Sequence, residues 1–280
     1  MFSRNDSSAS ACTAPAAVPF SGAPTRAFDA VVFDMDGVVT RTAEVHAAAW
    51  RRMFDEFLGR RAVRRAETVR SFVFPDDYLA FIDGRPRYEG VTAFLASRGI
   101  SLPFGSPDDE PGEATVCALG NRKNALFNEI VDAEGVAVFD STLRFIATLK
   151  AEDMRIGLAT SSRNAARVLS RSGTASLFES VVDGLVSARL GLRGKPEPDI
   201  FVAACAELGA TPARTIVVED AVTGVQAGRR GGFAFTIGLA RENNAAALRE
   251  NGADLVLGDL AEIKLPDLHA LVLAHRDHQP

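Results

Sequence analysis

Short, continuously apolar runs recur along this chain, separated by segments of helical periodicity. Continuous runs, unlike alternating ones, are typical of strands that are covered on both faces. Because strand and helix patterns alternate, the sequence predicts an α/β fold with a doubly wound parallel sheet and right-handed crossovers. The predicted strands are Ala30–Phe33, Arg155–Ala159, Thr215–Val218, Phe233–Ile237 and Asp254–Leu257.

Helical patterns fill the intervals between these strands. The predicted helices are Thr142–Lys150, Ala165–Arg171, Pro198–Leu208, Val222–Arg230 and Asn244–Glu250. The first interval is too long for a simple crossover and carries helices of its own. One of them has a buried face formed by Trp50, Met53, Phe54, Phe57 and Leu58, and another spans Asn121–Val131.

This long interval predicts an inserted domain. We expect a core domain of residues 28–43 and 137–280 and a mainly helical cap domain of residues 44–136, placed as a lid over the carboxyl edge of the sheet. Residues 1–27 contain SSASACTAPAAVP, a small and polar stretch. Because that stretch has little apolar surface to offset the entropy of ordering, we predict a disordered tail.

Composition restricts the classes of partner. With 47% hydrophobic and 24% charged residues, the 280-residue chain is that of an ordinary globular protein. A net charge of -5 argues against nucleic acid, which is bound by a surplus of Lys and Arg. Cys12, Cys117 and Cys205 lack metal-ligand spacing, and no apolar run approaches the roughly 20 residues that span a bilayer. We expect a cytoplasmic protein, monomeric or weakly dimeric, with no membrane partner.

Charged and hydroxyl side chains follow the predicted strands, at the edge where ligands of parallel sheets gather. Two adjacent buried carboxylates raise their own pKa values, so positive charge must be supplied to this edge. Grouped carboxylates suit Mg²⁺, hydroxyls at a helix N-terminus suit a phosphate, and a lysine adds a point charge. The edge therefore predicts a Mg²⁺ site for a phosphate ester. Its residues are Asp34, Asp36, the run Thr160-Ser161-Ser162-Arg163-Asn164, Lys195, Glu219 and Asp220.

Each of these residues also has an ordinary structural interpretation. Asp36 with Gly37 can form a turn, and the hydroxyls that begin at Thr160 can cap a helix. Lys195 can be an exposed surface lysine, and one of the two acids after the third strand can serve only a helix dipole. The agreement among four groups at separate strand or helix ends favours the functional interpretation.

Four ordered segments resemble the motifs of the haloacid dehalogenase (HAD) superfamily: FDMDGVVT, ATSSRN, GKPEPDIF and VVEDAVTG. RTAEVHAAAW and GNRKN are similar to segments of its β-phosphoglucomutase-like branch, which has a helical cap. The resemblance runs from Phe28 to about Gly258. It implies a Rossmann-like core and Mg²⁺-dependent phosphoryl transfer on a small phosphate ester, most simply a hexose phosphate.

The resemblance also implies residue roles. Asp34 would be the nucleophile that becomes an aspartyl-phosphate, and Asp36 the general acid and base. Thr160 would bind the transferring phosphoryl group, which Lys195 would neutralise. The metal set would comprise Asp34, Asp36 through its backbone carbonyl, Asp220, and Glu219 as an outer partner. The phosphate-binding set would add Gly37, Ser161, Ser162 and Asn164.

The cap supplies further candidates for substrate contacts. These are His46, Trp50, Arg85, Arg87 and Lys123. His46 lies four residues before Trp50 on the first cap helix, where a packed histidine is the plainer interpretation. The run Arg60 to Arg70 is most simply a solvated face or flexible insertion.

Two features leave the reaction open. Arg41 stands between Thr40 and Thr42, where the resembled branch commonly has Asp, and the cap is longer than usual, with extra Arg-rich and Pro/Gly-rich pieces. If the closed cap excludes water, the enzyme is a phosphohexomutase; if water enters, it is a phosphatase. A non-catalytic protein that binds a phosphorylated ligand is the alternative from another class.

Overall fold

A six-stranded parallel sheet forms the centre of the fold, in the order β3-β2-β1-β4-β5-β6. The computed structural model describes residues 26–66, 68, 70–82, 85–241 and 243–277. The strands are β1 Ala30–Phe33, β2 Arg155–Ala159, β3 Ser180–Val182, β4 Thr215–Glu219, β5 Phe235–Leu239 and β6 Leu255–Leu257. Both Cys12 and nearly all of the predicted tail, residues 1–27, lie outside the described residues.

The central strand places the first predicted motif at the topological switch point. Val31 of β1 is in register with Ile156 of β2 on one side and Ile216 of β4 on the other. The order of strands reverses between β1 and β4, and ligands of open α/β sheets bind in the crevice beyond such a point. Residues that follow β1, β2 and β4 therefore share one edge.

Both faces of the sheet are buried, which explains the continuous apolar runs. Val31 and Phe33 belong to one core cluster, whereas Ala30 and Val32 belong to the other. Since successive strand residues point to opposite faces, every position of β1 must be apolar. The helices that follow β1 to β6 in the sheet region are α5 Asp140–Ala151, α6 Ala165–Arg171, α7 Gly184–Leu190, α8 Asp199–Glu207, α9 Val222–Arg230, α10 Ala245–Glu250 and α11 Leu265–Asp277.

Four helices lie between β1 and β2, in the region predicted as a cap: α1 Thr42–Arg65, α2 Asp76–Phe81, α3 Arg87–Ser97 and α4 Val116–Glu134. All five apolar residues predicted for the buried face of α1 are buried. Aromatic stacking fixes this group, with the Phe54 and Phe94 ring centroids 3.8 Å apart and those of Phe54 and Phe72 5.5 Å apart. The division into core and cap stays a prediction, and below the word cap denotes only helices α1 to α4 and the segments that join them.

Several elements differ from the sequence prediction. β5 begins at Phe235 instead of Phe233, because Gly232 turns with φ +65° and the Phe233 ring packs edge-on against Phe201. The three-residue β3 was missed because so short a run gives no periodicity, and α2, α3, α7 and α11 were also missed. Part of the Arg60–Arg70 run is the end of α1, where Arg60 and Arg64 pair with Glu113.

In the part of the chain that the structure describes, none of the helices has the length and apolar character to traverse a bilayer. Cys117 and Cys205 are buried free thiols.

Candidate active site

A buried lysine joins the ends of β1 and β4. Lys195 Nζ lies 2.5 Å from Asp34 Oδ1 and 2.6 Å from Glu219 Oε1. The Lys195 and Asp34 side chains are each 8% exposed, and that of Glu219 is 1% exposed. Of the ordinary interpretations, the exposed surface lysine is therefore wrong for Lys195. Three predicted site residues from separate segments meet at one point.

Two glycines make room for the acids at this edge. A Cβ on Gly224, in the first turn of α9, would lie 1.8 Å from Glu219 Oε1. A Cβ on Gly37 would lie 1.7 Å from Asp220 Oδ2, and Gly37 also has a φ of +77°. Both positions must lack a side chain, because each carboxylate occupies the space that a Cβ would fill.

The acids at the edge carry perturbed pKa values. Burial, together with the neighbouring carboxylates of Glu219 and Asp36, raises the pKa of Asp34 to about 7 against the attraction of Lys195. Burial, then Glu219 and Asp34, raise the pKa of Asp220 well above its ordinary value. Burial alone would lower the pKa of Lys195, but Asp34 and Glu219 raise it. The edge thus holds more negative charge than one lysine can offset.

This excess of carboxylates fits a divalent cation, although not as a cage of four side chains. Among the described residues, no three acidic, histidine or cysteine side chains are placed to hold a metal ion together. Glu219 is committed elsewhere: besides Lys195, it accepts hydrogen bonds from the backbone amides of Asp220 (2.7 Å) and Ala221 (2.6 Å). Glu219 therefore contacts Lys195 directly, and its place as an outer partner of the metal stays a prediction.

Asp36 faces the first cap helix instead of the lysine. The hydroxyl of Thr42, the first residue of α1, donates to Asp36 Oδ1. Burial raises the pKa of Asp36, and the hydrogen bond from Thr42 opposes that rise. Asp34 and Asp36 therefore have different neighbours, as two carboxylates with different roles require. No role was predicted for Thr42, although it directly follows Arg41, where the sequence departs from the pattern of the resembled branch.

The loop after β2 forms another wall of the site. Thr160 is 1% exposed, and its Oγ1 accepts a hydrogen bond from the amide of Ser162 at 3.1 Å. Ser162 Oγ in turn accepts from the amide of Asn164 at 3.2 Å, whereas Ser161 is exposed. The hydroxyls order their own loop just before α6. The N-cap of α6 is Asn164 and receives no side-chain cap hydrogen bond, so these hydroxyls order the loop and do not cap the helix. Their role in phosphate binding stays a prediction.

Asn164 connects this loop to the cap. Its Nδ2 donates to Asn124 Oδ1 at 2.9 Å, and the same oxygen accepts from Arg87 NH2 at 2.9 Å. Arg85, by contrast, is exposed, and its side chain has no described contact with these residues. The structure therefore places Arg87 at the interface and Arg85 outside it. Asn124 was missed as a site residue, although it lies within the GNRKN segment.

His46 and Lys123 are paired inside the cap. Lys123 Nζ lies 2.6 Å from His46 Nδ1 and 5.1 Å from the ring centroids of Trp50 and Phe127. Burial, then the charge of Arg87, lower the pKa of Lys123 to about 7. Trp50 is 5% exposed and stacks on Phe54, so it packs among the aromatic residues of the cap. Its contact with substrate stays a prediction.

A cavity of about 430 Å³ adjoins the acidic edge on the side where the chain crosses into α1. Gly37 and Asp220 form its inner wall, and Arg41, Phe139 and Arg241 form the side nearest the crossing. Arg241 is a third residue that was not predicted, after Thr42 and Asn124, because an isolated arginine after a strand gives no pattern.

Comparison with known proteins assigns the class. A family model described as haloacid dehalogenase-like hydrolase matches residues 28–232. The chain belongs to this family. The predicted HAD-type phosphotransferase enzyme and the predicted fold class are thereby confirmed.

Several individual proteins of known name are similar to this chain. A β-phosphoglucomutase of Mycobacterium bovis is 42% identical over 84% of this chain and 90% of its own length. The validoxylamine A 7'-phosphate phosphatase of Streptomyces hygroscopicus is 28% identical over 86% of this chain and 98% of its own length. A crystal structure of β-phosphoglucomutase from Clostridium difficile has a TM-score of 0.67 at 21% identity, covering 90% of this chain and 100% of that one, which supports the fold.

Proposed function

We propose that the protein catalyses Mg²⁺-dependent phosphoryl transfer on a sugar phosphate through an aspartyl-phosphate at Asp34, as a phosphohexomutase of the β-phosphoglucomutase type. The observation that carries the proposal is the buried contact of Lys195 with Asp34, at the switch point of the sheet. Lys195 holds one carboxylate oxygen of Asp34, which leaves the other for attack on phosphorus. The 42% identity to a β-phosphoglucomutase supports the sugar phosphate.

The proposed reaction has two steps, each of which forms one bond to phosphorus and breaks another. A carboxylate oxygen of Asp34 forms a bond to phosphorus while the bond from phosphorus to the ester oxygen breaks, and Asp36 gives its proton to that leaving oxygen. Asp36 then takes a proton from a sugar hydroxyl, whose oxygen attacks phosphorus and releases Asp34. The raised pKa of Asp36 favours the protonated acid that the first step needs.

Positive charge governs such a reaction, because phosphoryl transfer depends mainly on position and charge neutralisation. Asp34, Asp220 and the backbone carbonyl of Asp36 would hold Mg²⁺, which when bound supplies a Lewis acid for the phosphoryl oxygens. Lys195 offsets charge on the Asp34 side, and Thr160 provides a buried hydroxyl facing the same edge. Arg87, Asn124 and Asn164 offer donors and acceptors for the remainder of the sugar.

A phosphatase of the same family is the second candidate. The cavity of about 430 Å³ lies between Asp220 and residues of α1 and α2, among them Glu44 and Tyr78, so water can reach the acidic edge through it. The 28% identical phosphatase supports the same alternative. In that case, water replaces the sugar hydroxyl as the group that Asp36 deprotonates.

Product analysis separates the two. Purified protein is incubated with Mg²⁺ and β-glucose 1-phosphate, and glucose 6-phosphate and free phosphate are both quantified. We expect glucose 6-phosphate to dominate; dominant free phosphate would establish the phosphatase. Asp34→Asn should abolish both products, and persistence of either product in that variant would rule out an aspartyl-phosphate at Asp34.

A non-catalytic binder of phosphorylated ligands is distinguished without turnover. Beryllium fluoride with Mg²⁺ mimics a phosphoryl group on a nucleophilic aspartate, so it should raise the melting temperature of the wild type and leave Asp34→Asn unchanged. Equal responses of both proteins, together with no product from a panel of sugar phosphates, would favour the binder.

A further inference from the structure

Arg241 ties three loops together at the carboxyl edge of the sheet. It follows β5, and its side chain is 14% exposed. Its Nε donates to the carbonyl of Gly37 at 3.0 Å. Its NH1 donates to the carbonyl of Gly258 at 3.0 Å and to Asp259 Oδ2 at 3.1 Å. One guanidinium thus links the loop after β1 to the segment after β6.

The contact with Gly37 is the one that reaches the active site. Gly37 lies so close to the Asp220 carboxylate that a Cβ would fall 1.7 Å from Oδ2. The amide of Gly37 also donates to the carbonyl of Thr40 at 2.9 Å, which closes the tight loop after β1. Because Gly37 touches Asp220 on one side and Arg241 on the other, a shift of Arg241 moves the wall against which Asp220 rests.

The same arginine reaches the two chain crossings between the sheet and helices α1 to α4. Arg241 Cζ lies 3.8 Å from the ring centroid of Phe139, and Arg41 Cζ lies 4.6 Å from it. The backbone joins the crossings too, since Phe139 N donates to Val39 O at 3.0 Å and Arg41 N to Ala137 O at 2.8 Å. Both guanidiniums contact one aromatic ring, an arrangement stabilised by cation–π attraction.

We propose that Arg241 is a positioning residue of the active site, which holds Gly37 against the Asp220 carboxylate and is coupled through the Phe139 ring to Arg41 at the start of α1. The proposal rests on the proposed function, because it assigns Asp220 to the Mg²⁺ site. It also gives a role to Arg41, the departure from the family pattern: its side chain supplies the second contact to Phe139 instead of a carboxylate. Residues that orient a metal ligand without touching the metal commonly change metal affinity or activity by 10- to 100-fold.

The test uses Arg241→Gln, Arg241→Lys and Arg41→Ala in the full chain. A matched control is Arg276→Gln, because Arg276 also donates to a backbone carbonyl, that of Ala213, away from the acidic edge. Two quantities are measured: the Mg²⁺ concentration that gives half of the rise in melting temperature in the presence of inorganic phosphate, and kcat and KM with β-glucose 1-phosphate.

For Arg241→Gln we expect about a ten-fold higher half-maximal Mg²⁺ concentration and about a ten-fold lower kcat, with KM within two-fold. Arg241→Lys should fall between this variant and the wild type, since an ammonium can reach Gly37 O but lacks the planar fork. Arg41→Ala should raise the half-maximal Mg²⁺ concentration and lower kcat, each about three-fold. The double variant Arg241→Gln, Arg41→Ala should lose less than the product of the two single effects, because the two arginines share the Phe139 ring. Arg276→Gln should match the wild type.

The proposal is overturned if Arg241→Gln keeps the wild-type Mg²⁺ response and kcat, even with a lower melting temperature. Arg241 would then contribute to stability alone. If Arg241→Gln does not fold, Arg241→Lys and Arg41→Ala decide in the same way. The Mg²⁺ titration needs no turnover. A shifted titration with an inactive wild type would leave the positioning role standing while the proposed reaction fails, and a wild type without any Mg²⁺ response would overturn both.

Discussion

Two lysines of this protein are almost equally buried, and yet their pKa values shift in opposite directions. Lys195 contacts the carboxylates of Asp34 and Glu219, which raise its pKa despite burial. Lys123, at 4% exposure, contacts a histidine nitrogen and two aromatic faces, and burial with the nearby charge of Arg87 lowers its pKa to about 7. The carboxylate of Asp36 opposes this shift without cancelling it. Neighbours, and not the degree of burial, decide which lysine is a permanent cation.

The difference separates the two regions by function. At the sheet edge, the charge of Lys195 opposes the rise in the pKa of Asp34 and Asp220 that burial causes. In the cap, burial and the charge of Arg87 lower the pKa of Lys123 itself. His46 stacks on Phe127, with ring centroids 4.3 Å apart, so aromatic faces surround this pair.

The largest effect is expected from Lys195→Met. Removing the cation leaves buried carboxylates without a partner, a change that costs about 3 to 5 kcal/mol when a buried ion pair is broken. We also expect a loss of at least about 10³-fold in kcat, since the transferring group loses its point charge. Urea denaturation and product assays measure both. Lys150→Met is the control, because Lys150 is exposed and donates to the carbonyl of Ser176. Equal stability of the two variants would contradict the role of the buried ion pair.

Gly224→Ala tests the edge without removing a charge. The added Cβ would occupy the position 1.8 Å from Glu219 Oε1, so Glu219 must move away from Lys195. We expect a loss of about 10- to 100-fold in kcat, the range for a disturbed second partner of a catalytic group. Gly59→Ala is the matched control, because a Cβ there meets nothing within 4 Å. Wild-type kcat in Gly224→Ala would show that the Glu219 contact is dispensable.

Lys123→Met tests the lowered pKa of Lys123 through the pH dependence of stability. The unfolded chain keeps the Lys123 proton up to its ordinary pKa of 10.5, whereas the folded chain loses it at about 7. Between these values the unfolded state binds more protons, so the free energy of unfolding of the wild type should rise relative to Lys123→Met by up to about 1.4 kcal/mol per pH unit. Denaturation curves at pH 6 to 9 measure this; parallel pH profiles would show that folding leaves this pKa unchanged.

The smallest effects compare two neighbouring arginines. Arg87→Ala should raise KM for the sugar phosphate about ten-fold, since the variant loses a charged hydrogen bond to Asn124 at the interface of cap and loop. Arg85→Ala should leave KM within two-fold, because Arg85 is exposed. Steady-state kinetics of both variants check this. A larger rise in KM for Arg85→Ala than for Arg87→Ala would mean that Arg85, and not Arg87, contacts the substrate.

Much of the sheet followed from local pattern. β2 and helices α6 and α9 have the predicted bounds, because apolar runs and helical spacing are properties of neighbouring residues. β3 and the start of β5 did not follow, since a three-residue strand carries no period and Phe233 looks equally apolar in a turn. For the site, pattern brought Asp34, Lys195 and Glu219 to one edge but gave no account of which of them pair.

The sequence by itself determined the order of motifs, the parallel sheet and the convergence of Asp34, Asp220 and Lys195, because parallel strands must end at one edge. Only the tertiary structure decided that Glu219 contacts Lys195, that Asp36 accepts from Thr42, that Arg87 bonds Asn124, and that Arg241 bonds Gly37. These are contacts between residues up to 204 positions apart in the chain. Side-chain pairing over such separations depends on how packed elements meet, which local periodicity does not encode.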